Sequence, residues 1–522
     1  MIIILSAQYI EQDLRAEFGE IPPSFLPVGN KRLYSYQINN IRNANPNEDI
    51  FLTLPKSFEV SSWDLRELQE RNINIIRIDE SFSLGQSIAF TLASICTTEN
   101  DNIIIYYGDT LLRDDIKTGN LGKDVIYTSR SDFNYAWMKI NNRFEDKDIV
   151  FCGILSITNP QLLIRNLIST NFDFEKSLLK YNETNRFEQE HREDWLDFGH
   201  LNTFYDSKTI VTTERAFNEL TINKYFVEKR SQKKKKLYAE ANWFSSIPET
   251  MAYYTPMLIS HGDEPTGYRY KLEYLYCPTL TELFVFSHHP LDIWEQIISS
   301  CFKFITNCYE IKNPQSTVDF YSSLIVKNEN RLNEFIKENP RFANLIKDCD
   351  GNEYYLKDML NELQQYINKD STQSFVHGDF CFSNILYDFK KNDIKVIDPR
   401  GIDFDDAINI YGDIRYDLAK ILHSAIGKYD YIISDRFFVE DDGVKITLDI
   451  PVGGVDLREI IKKEFKKSIF DYQEILAITI TLFLSMLPLH YDRPDRQTAF
   501  IATAINLYKE LKNDYYSDGR AE

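Results

Sequence analysis

The sequence predicts two domains, a layered α/β domain over residues 1–208 and an α+β domain over residues 209–522. The chain of 522 residues is longer than a single hydrophobic core normally organises, which favours at least two domains. Short apolar segments alternate with stretches of helical length in the first part of the chain, and long helical patterns dominate the second part. The change of pattern places the boundary, since no Gly/Ser-rich or Pro-rich linker marks it.

Apolar, β-branched segments predict the strands of the first domain. They lie at residues 2–5, 49–55, 73–79, 102–109 and 148–157. Buried runs of this kind, separated by helices, are typical of a mainly parallel sheet with helices on its faces. An open sheet of that type binds its ligands at the carboxyl ends of its strands.

The second domain is predicted to contain a small sheet lobe over about residues 209–280 and a helical lobe over about 281–522. Segments 210–230 and 269–276 alternate in polarity, which indicates antiparallel strands. The helical lobe is interrupted by a hairpin-like segment, ILYDFKKNDIKVID. The stretch 411–424 predicts a helix, whose Asp413 and Asp417 we expect to brace the lobe and take no part in catalysis.

Composition excludes several classes of function. The formal charge of −20 would repel a nucleic-acid duplex or an anionic membrane, so an anionic substrate must be met by local Lys, Arg or metal charge. The seven Cys form no CxxC pair, which indicates reduced thiols. No signal peptide and no run of about 18 apolar residues are apparent. We expect a cytoplasmic protein with a small-molecule substrate, no nucleic-acid partner and no membrane insertion; oligomerisation is left open.

The stretch VHGDFCFSNILY at 376–387, followed by VIDPRG, carries the clearest chemistry in the chain. Asp379 can accept or orient the proton of a substrate hydroxyl. Asn384 offers a neutral oxygen ligand to a metal ion, and Asp398 offers a carboxylate at the end of an apolar strand. His377 is expected to brace the loop. A merely structural Asp- and Asn-rich loop is the alternative, but the order and spacing of these residues favour phosphoryl transfer.

The motif HGDFCFSNIL…VID resembles the aminoglycoside phosphotransferase and choline kinase group, within the protein-kinase-like fold. The resemblance implies that Asp379 is the catalytic base, that Asn384 and Asp398 hold Mg²⁺, and that ATP is the phosphate donor. It further implies that Lys229, on a strand, contacts the α and β phosphates. Glu240, on the following helix, would orient that lysine.

The same resemblance implies that the backbone of Glu273, Tyr274 and Leu275 meets the adenine ring. Two features depart from the pattern: no Gly-rich loop precedes the strand lysine, and DPRG replaces the Asp-Phe-Gly of protein kinases. The second departure favours a small-molecule acceptor. Arg400 could bind an anionic group or form a structural ion pair, and the sequence leaves both open.

Four stretches recur in order in the first domain: LPVGNKRLYSYQI, SLGQSIAFTLA, IIIYYGD and DWLDFGHLNTFYDSK. They resemble the motifs of the sugar-phosphate nucleotidyltransferases, which have a Rossmann-like fold. The resemblance implies that Gly85 and Gln86 lie near a nucleotide base, that Asp109 and Asp197 hold Mg²⁺, and that a second nucleotide, CTP or UTP, is used.

The first loop of this domain departs from the family pattern. It reads SAQYIEQDLRAEFGEIPPSFLP, with acidic residues and a single Gly. A Gly-rich loop lets backbone amides approach a triphosphate closely. The domain has therefore either abandoned triphosphate chemistry or uses an altered loop.

Together the resemblances predict an enzyme with two activities. The C-terminal half would phosphorylate a sugar or amino alcohol, and the N-terminal half would couple the product to a nucleotide, as in the synthesis of capsule or other cell-surface polysaccharide or lipid precursors. One alternative is a small-molecule kinase whose N-terminal half is a non-catalytic binding or scaffolding module. A regulator that only senses nucleotide is disfavoured by the complete set of Asp379, Asn384 and Asp398.

Overall fold

The computed structural model describes residues 1–114, 122–130, 149–213, 220–313, 319–371, 373–451 and 455–517. The chain divides into two compact units. Unit 1 comprises Met1–Arg215 with Phe286–His288, and unit 2 comprises Ala216–Val285 with His289–Glu522. The boundary expected at residue 208 falls inside a helix, Leu201–Thr213.

Unit 1 contains eleven strands and seven helices within its described residues. The strands are β1 (Ile2–Leu5), β2 (Pro27–Val28), β3 (Lys31–Arg32), β4 (Ile50–Pro55), β5 (Ile73–Ile78), β6 (Ile103–Tyr107), β7 (Thr110–Leu112), β8 (Val125–Arg130), β9 (Ile149–Ile157), β10 (Glu188–His191) and β11 (Trp195–Asp197). The helices are α1 (Gln12–Phe18), α2 (Leu33–Ala44), α3 (Ser62–Glu70), α4 (Leu84–Ser94), α5 (Pro160–Ser169), α6 (Phe174–Thr184) and α7 (Leu201–Thr213). All five strands expected from the sequence are present.

The main sheet of unit 1 has seven strands in the order β10-β8-β9-β6-β1-β4-β5. β1 is parallel to β4 and β6, and the pairs β4–β5 and β8–β10 are also parallel. β9 runs antiparallel to both of its neighbours, β6 and β8. The sheet is therefore mainly parallel, as expected, but mixed. A strand buried on both faces reads the same in either direction, so the sequence could not show the reversal.

A buried cluster joins the sheet to helices α4, α5 and α6. It includes Ile3, Ile88, Ile105, Leu155 and Leu163, each no more than 1% exposed. Complete burial of such a side chain contributes roughly 1.5–3 kcal/mol. This packing fixes the carboxyl ends of β1 and β6, and Asp109 lies two residues after the end of β6.

Unit 2 contains a small antiparallel sheet and a larger, mostly helical part. The strands are β12 (Leu220–Ile222), β13 (Phe226–Ser231), β14 (Leu258–Glu264), β15 (Gly267–Glu273), β16 (Ile346–Lys347), β17 (Glu353–Tyr354), β18 (Gln373–Phe375), β19 (Ile385–Asp388), β20 (Asp393–Val396), β21 (Tyr411–Asp413), β22 (Phe438–Asp441) and β23 (Ile446–Asp449). The helices are α8 (Lys234–Ser245), α9 (Leu280–Phe286), α10 (Leu291–Glu310), α11 (Phe320–Glu338), α12 (Leu356–Leu363), α13 (Arg415–Ala425), α14 (Tyr429–Ile433), α15 (Arg458–Lys467), α16 (Tyr472–Met486) and α17 (Pro494–Ser517).

The small sheet has the order β12-β13-β15-β14 and is antiparallel throughout. The strand expected over 210–230 is wrong at its start, because residues 210–213 belong to α7, and residues 214–219 lie outside the described part of the chain. The β-branched run there favoured a strand, but buried Val211 packs as part of the helix, and tertiary packing overrides propensity. The second strand ends at Glu273, three residues before the expected end at 276.

The helix expected over 411–424 begins later than predicted. Tyr411–Asp413 is a short strand paired with β18, and α13 starts at Arg415. The carboxylate of Asp413 accepts hydrogen bonds from the backbone N–H and the guanidinium of Arg415, at 3.0 and 2.7 Å. This buried contact fixes the turn from strand to helix. The expected hairpin forms, as β19 and β20.

The expectation that no segment has the length and composition of a membrane span is wrong at one place. The stretch Tyr472–His490 has both, with a mean hydropathy of 1.5. Most of its apolar window, 72%, is buried inside the protein, where α16 packs against α11, α13 and α17. This burial is that of a core helix.

Candidate active site

The loop between β18 and β19 is held by a buried histidine and a buried aspartate. Asp417, on α13, accepts the backbone N–H groups of His377 and Gly378 at 2.7 and 2.8 Å. Burial lowers the pKa of His377 to about 4, so the ring is neutral near pH 7. Its Nδ1 receives the backbone N–H of Asp379 at 3.3 Å, which leaves the proton on Nε2 to donate to Ile397 O at 2.9 Å. Both residues brace the loop.

Asp379 is held from two sides. Lys420 Nζ lies 2.9 Å from its Oδ1, and Asn384 Nδ2 donates to its Oδ2 at 3.0 Å and to its carbonyl oxygen at 2.8 Å. Burial alone would raise the pKa of Asp379, but the Lys420 charge and these hydrogen bonds hold it below its ordinary value. The carboxylate, with 41% of its side chain exposed, is therefore ionised and open to a hydroxyl group.

Lys229, on β13, joins two carboxylates from distant parts of unit 2. Its Nζ lies 2.5 Å from Asp398 Oδ1 and 3.5 Å from Glu240 Oε2. Tyr270 donates its hydroxyl to the same Glu240 oxygen at 2.8 Å. Burial opposes the charge, but the two carboxylates raise the pKa of Lys229 above its ordinary value. The Lys–Glu pair implied by the sequence resemblance is thus formed.

The hairpin β19–β20 brings the two expected metal-binding residues together. Asn384 stands directly before β19 and Asp398 two residues after β20, and Ile397 N donates to Asn384 O at 3.0 Å. Asp398 has a positive φ of 57°, a conformation that Asp adopts more readily than most residues. Among the described residues, no three His, Cys, Asp or Glu side chains form a closed metal site. An amide oxygen and a carboxylate suit Mg²⁺, which keeps waters and phosphate oxygens as its other ligands.

The segment expected to meet adenine leaves the small sheet at Glu273. Tyr274 N donates to Tyr225 O at 3.1 Å, and the carbonyl of Leu275 accepts Cys277 N at 2.9 Å. Further on, Tyr387 N, on β19, donates to Pro278 O at 3.0 Å. The segment therefore leads from the small sheet to the hairpin that carries the site. Its contact with adenine stays a prediction.

In unit 1, the carboxylates of Asp109 and Asp197 both lie next to Gly199. A Cβ atom on Gly199 would be 2.7 Å from Asp109 Oδ2 and 3.2 Å from Asp197 Oδ1, so a larger residue there would crowd both carboxylates. Asp197 is further held by Thr203 Oγ1 at 2.7 Å and His200 Nδ1 at 3.0 Å. Burial and the neighbouring Asp197 charge raise the pKa of Asp109 to about 7. A cation bound to both carboxylates would offset the repulsion between them.

Beside these carboxylates lies an open cleft of about 580 Å³. Four aromatic rings line it, those of Tyr9, Tyr107, Phe151 and Phe174. Its charged lining is acidic and includes Glu11 and Glu175, and the described lining contains no Lys or Arg. His200 is the basic residue of this described lining, so a triphosphate in the cleft would depend on metal ions for most of its neutralisation.

Gly85 and Gln86 do not line this cleft within the described part of the chain; their neighbour Leu84 does. A Cβ atom on Gly85 would lie 2.1 Å from Phe172 O, so this glycine lets α4 pack closely. Gln86 accepts the backbone N–H of Ser83 at 2.8 Å and completes a capping box. The structure gives both residues roles in starting and packing α4, and their contact with a base stays a prediction.

Sequence reasoning missed Lys420 and His200. Lys420 lies on α13, one turn after Asp417, and directly contacts Asp379. The hydrogen bond from His200 to Asp197 raises the pKa of His200 and outweighs burial, which lowers it. The sequence signal that could have indicated Lys420 was a lysine on an otherwise buried helix face. No local signal indicated His200.

No protein-family model and no curated protein sequence matches the chain. Similar solved structures include a putative glucose-1-phosphate thymidylyltransferase from Bacillus anthracis (14% identity, TM-score 0.33, 42% of this chain and 96% of that one). A nucleoside-diphosphate-sugar pyrophosphorylase from Vibrio cholerae is also similar (11%, 0.33, 40% and 99%). So is an aminoglycoside-3'-phosphotransferase of type VIII (11%, 0.32, 54% and 99%). The chain resembles both groups expected from its sequence. Function must come from the sites themselves.

Proposed function

We propose that unit 2 is a small-molecule kinase that transfers the γ-phosphoryl group of ATP to a hydroxyl group. The observation that carries this proposal is the assembly of Asp379 with Lys420 and Asn384, in the same unit as the Asp398–Lys229–Glu240 chain of charges. The acceptor oxygen forms a bond to the γ-phosphorus while the bond to the β–γ bridging oxygen breaks. ADP leaves with that electron pair, and the hydroxyl proton passes to the Asp379 carboxylate.

The remaining polar residues of unit 2 position the phosphates. Lys229 would bind α- and β-phosphate oxygens, and Glu240, itself fixed by Tyr270, would hold the lysine in place. Asn384 and Asp398 would hold Mg²⁺, which when bound neutralises phosphate charge. The lowered pKa of Asp379 keeps the carboxylate ionised, so it orients the hydroxyl and accepts its proton late in the transfer.

The kinase assignment is tested by measuring ADP release from ATP and Mg²⁺. The acceptor panel contains sugars, sugar phosphates, sugar acids and amino alcohols. We expect turnover by the wild type and a loss of about 10²–10⁴-fold in Asp379→Asn, the usual size of an acid–base contribution. Asp388→Asn is the matched control, because Asp388 lies at the hairpin turn, where it accepts backbone N–H groups and pairs with Lys391. Equal rates for Asp379→Asn and the wild type would contradict the role given to Asp379.

We further propose that unit 1 transfers a nucleotidyl group from CTP or UTP to the phosphorylated product. The acceptor phosphate oxygen bonds to the α-phosphorus, the bond to the α–β bridging oxygen breaks, and pyrophosphate leaves. Asp109 and Asp197 would hold Mg²⁺, and the two carboxylates that meet next to Gly199, beside an open cleft, support this role. Successive reactions on one chain would serve the synthesis of cell-surface polysaccharide or lipid precursors.

A second candidate for unit 1 is a non-catalytic binding module. The acidic lining of its cleft, without Lys or Arg among the described residues, favours this alternative. Thermal stabilisation by CTP, UTP, GTP, dTTP and ATP, each with Mg²⁺, separates the two, because a ligand of the folded state raises its apparent stability. Stabilisation by a nucleotide other than ATP that is lost in Asp109→Asn supports nucleotidyl transfer. Stabilisation by ATP alone, unchanged in that variant, supports the binding module.

A further inference from the structure

We propose that the acceptor of unit 2 carries an anionic group, a phosphate or a carboxylate, which Lys327 and Arg400 bind while its hydroxyl faces Asp379. This inference rests on the kinase function proposed above. It concerns three basic residues, Lys327, Arg400 and Lys420, which we call the cationic cluster.

The cationic cluster converges on one pair of aromatic rings. Phe404 and Tyr416 meet edge to face, with their centroids 5.2 Å apart. Lys327 Nζ, on α11, lies 4.9 Å from the Phe404 centroid and 5.5 Å from that of Tyr416. Arg400 Cζ lies 5.1 Å from the Phe404 centroid, and Lys420 Nζ 5.9 Å from that of Tyr416. Three segments distant in sequence thus bring positive charge to the same place.

Two contacts tie the cationic cluster to the catalytic loop. Lys420 binds Asp379 directly, at 2.9 Å. Arg400 donates its backbone N–H to His377 O at 3.0 Å, which fixes the residue relative to the loop. The arginine side chain also packs on this loop, because a Cβ atom on Gly378 would lie 2.9 Å from Arg400 Cβ. An anion held by the arginine would therefore lie close to the loop that carries Asp379.

Two members of the cationic cluster, Lys327 and Arg400, have no carboxylate partner among the described residues. Asp379 is paired with Lys420, and Asp403 accepts the N–H groups of its own loop at 2.9 and 3.0 Å. Within the described part of the chain, Lys327 forms no ion pair, and Arg400 donates a single side-chain bond of 3.5 Å, to Asp403 O. Both side chains are half-buried, so neither has the full hydration of a surface cation.

The titration of neighbouring groups supports a positive potential at this place. Burial lowers the pKa of Lys327, and the charges of Arg400 and Lys420 lower it further. Burial would raise the pKa of the Tyr416 phenol, but Lys420, Lys327 and Arg400 hold it below its ordinary value. The buried phenol of Tyr387 shows the usual direction, with its pKa raised to about 12. A bound phosphate or carboxylate would relieve this repulsion, and a guanidinium suits either group.

The first experiment compares matched acceptors: glucose, glucose 6-phosphate, glucuronate and glucosamine. ATP turnover with Mg²⁺ is measured for the wild type, Lys327→Met, Arg400→Met and the control Lys337→Met, an exposed lysine on the same helix. We expect the anionic acceptors to have at least a tenfold higher kcat/KM than glucose. Lys327→Met and Arg400→Met should raise the KM for the anionic acceptor at least tenfold and leave the KM for ATP near that of the wild type. The comparison of glucose 6-phosphate with glucuronate shows whether the site prefers a phosphate or a carboxylate.

The second experiment does not need turnover. Thermal stability is compared in sodium phosphate, sodium acetate and sodium chloride at equal ionic strength, for the wild type and the Lys327→Met/Arg400→Met variant. Stabilisation of the wild type by phosphate or acetate over chloride, reduced in the double variant, supports the proposal. Equal stability of the wild type in all three salts, or preference for glucose or glucosamine with no KM change in the single variants, overturns it. Absence of both turnover and stabilisation by ATP with Mg²⁺ would refute the kinase function, whatever the anion result.

Discussion

The two candidate sites treat their carboxylates in opposite ways. In unit 2, Asp379 is paired with Lys420 and Asp398 with Lys229, each within 2.9 Å. In unit 1, Asp109 faces a second carboxylate, and the described lining of the adjoining cleft holds no Lys or Arg. The pKa of Asp379 is accordingly lowered and that of Asp109 raised to about 7. Unit 2 pairs each of these carboxylates with a lysine, whereas in unit 1 His200 pairs with Asp197 and Asp109 faces that second carboxylate.

The largest expected effect comes from removing a counter-charge in unit 2. Lys229→Met leaves Asp398 and Glu240 without their shared ammonium group, and loss of one partner from a largely buried pair costs about 3–5 kcal/mol at most. We expect a lower melting temperature and a loss of stabilisation by ATP with Mg²⁺, both measured by thermal unfolding. Lys234→Met is the control, because its ion pair with Asp263 is exposed and worth about 1 kcal/mol or less. Equal effects of the two variants would remove Lys229 from the site.

A smaller effect, on pH dependence, is expected for Lys420→Met. The Lys420 charge helps to hold the pKa of Asp379 down, so its removal raises that pKa and protonates the carboxylate at a higher pH. The acidic limb of the pH profile of kcat/KM for the kinase reaction should therefore move to higher pH. Below the new pKa of Asp379, kcat/KM should fall about tenfold for each unit of pH. A rate loss that is the same at every pH between 5 and 8 would show that Lys420 acts on structure alone.

A further effect is expected in unit 1 and has the opposite sign. Asp109 has a pKa of about 7 in the folded protein and an ordinary value of 3.8, so between these values the folded state holds a proton that the unfolded state has lost. The resulting stability is complete below about pH 4 and is lost as the pH rises to about 7. With no divalent cation present, Asp109→Asn should therefore melt higher than the wild type at pH 8, by about 2–4 °C per kcal/mol recovered.

Asp101→Asn is the matched control for this last change. Hydrogen bonds from Thr98 lower the pKa of Asp101, so its substitution should be neutral or destabilising at pH 8. Addition of Mg²⁺ should raise the melting temperature of the wild type more than that of Asp109→Asn. If Asp109→Asn melts lower than the wild type at pH 8 without metal, the carboxylate of Asp109 does not destabilise the fold as its raised pKa predicts.

The sequence by itself determined five of the seven strands in the main sheet of unit 1, the hairpin β19–β20 and the order of Asp379, Asn384 and Asp398. These features depend on residues that are close along the chain, where apolar periodicity and motif spacing are direct physical signals. The Lys229–Glu240 pair was implied by the family resemblance, which does not rest on local pattern.

Only the tertiary structure decided the rest. It placed Lys420 against Asp379, joined Lys327 and Arg400 at one aromatic pair, reversed β9, and brought Asp109 and Asp197 together next to Gly199. Each of these depends on the path of the chain between residues far apart in sequence, which local patterns do not encode. Charge pairing and burial are properties of that path, and they set the difference between Asp379, whose carboxylate is paired with a lysine, and Asp109, whose carboxylate faces another one.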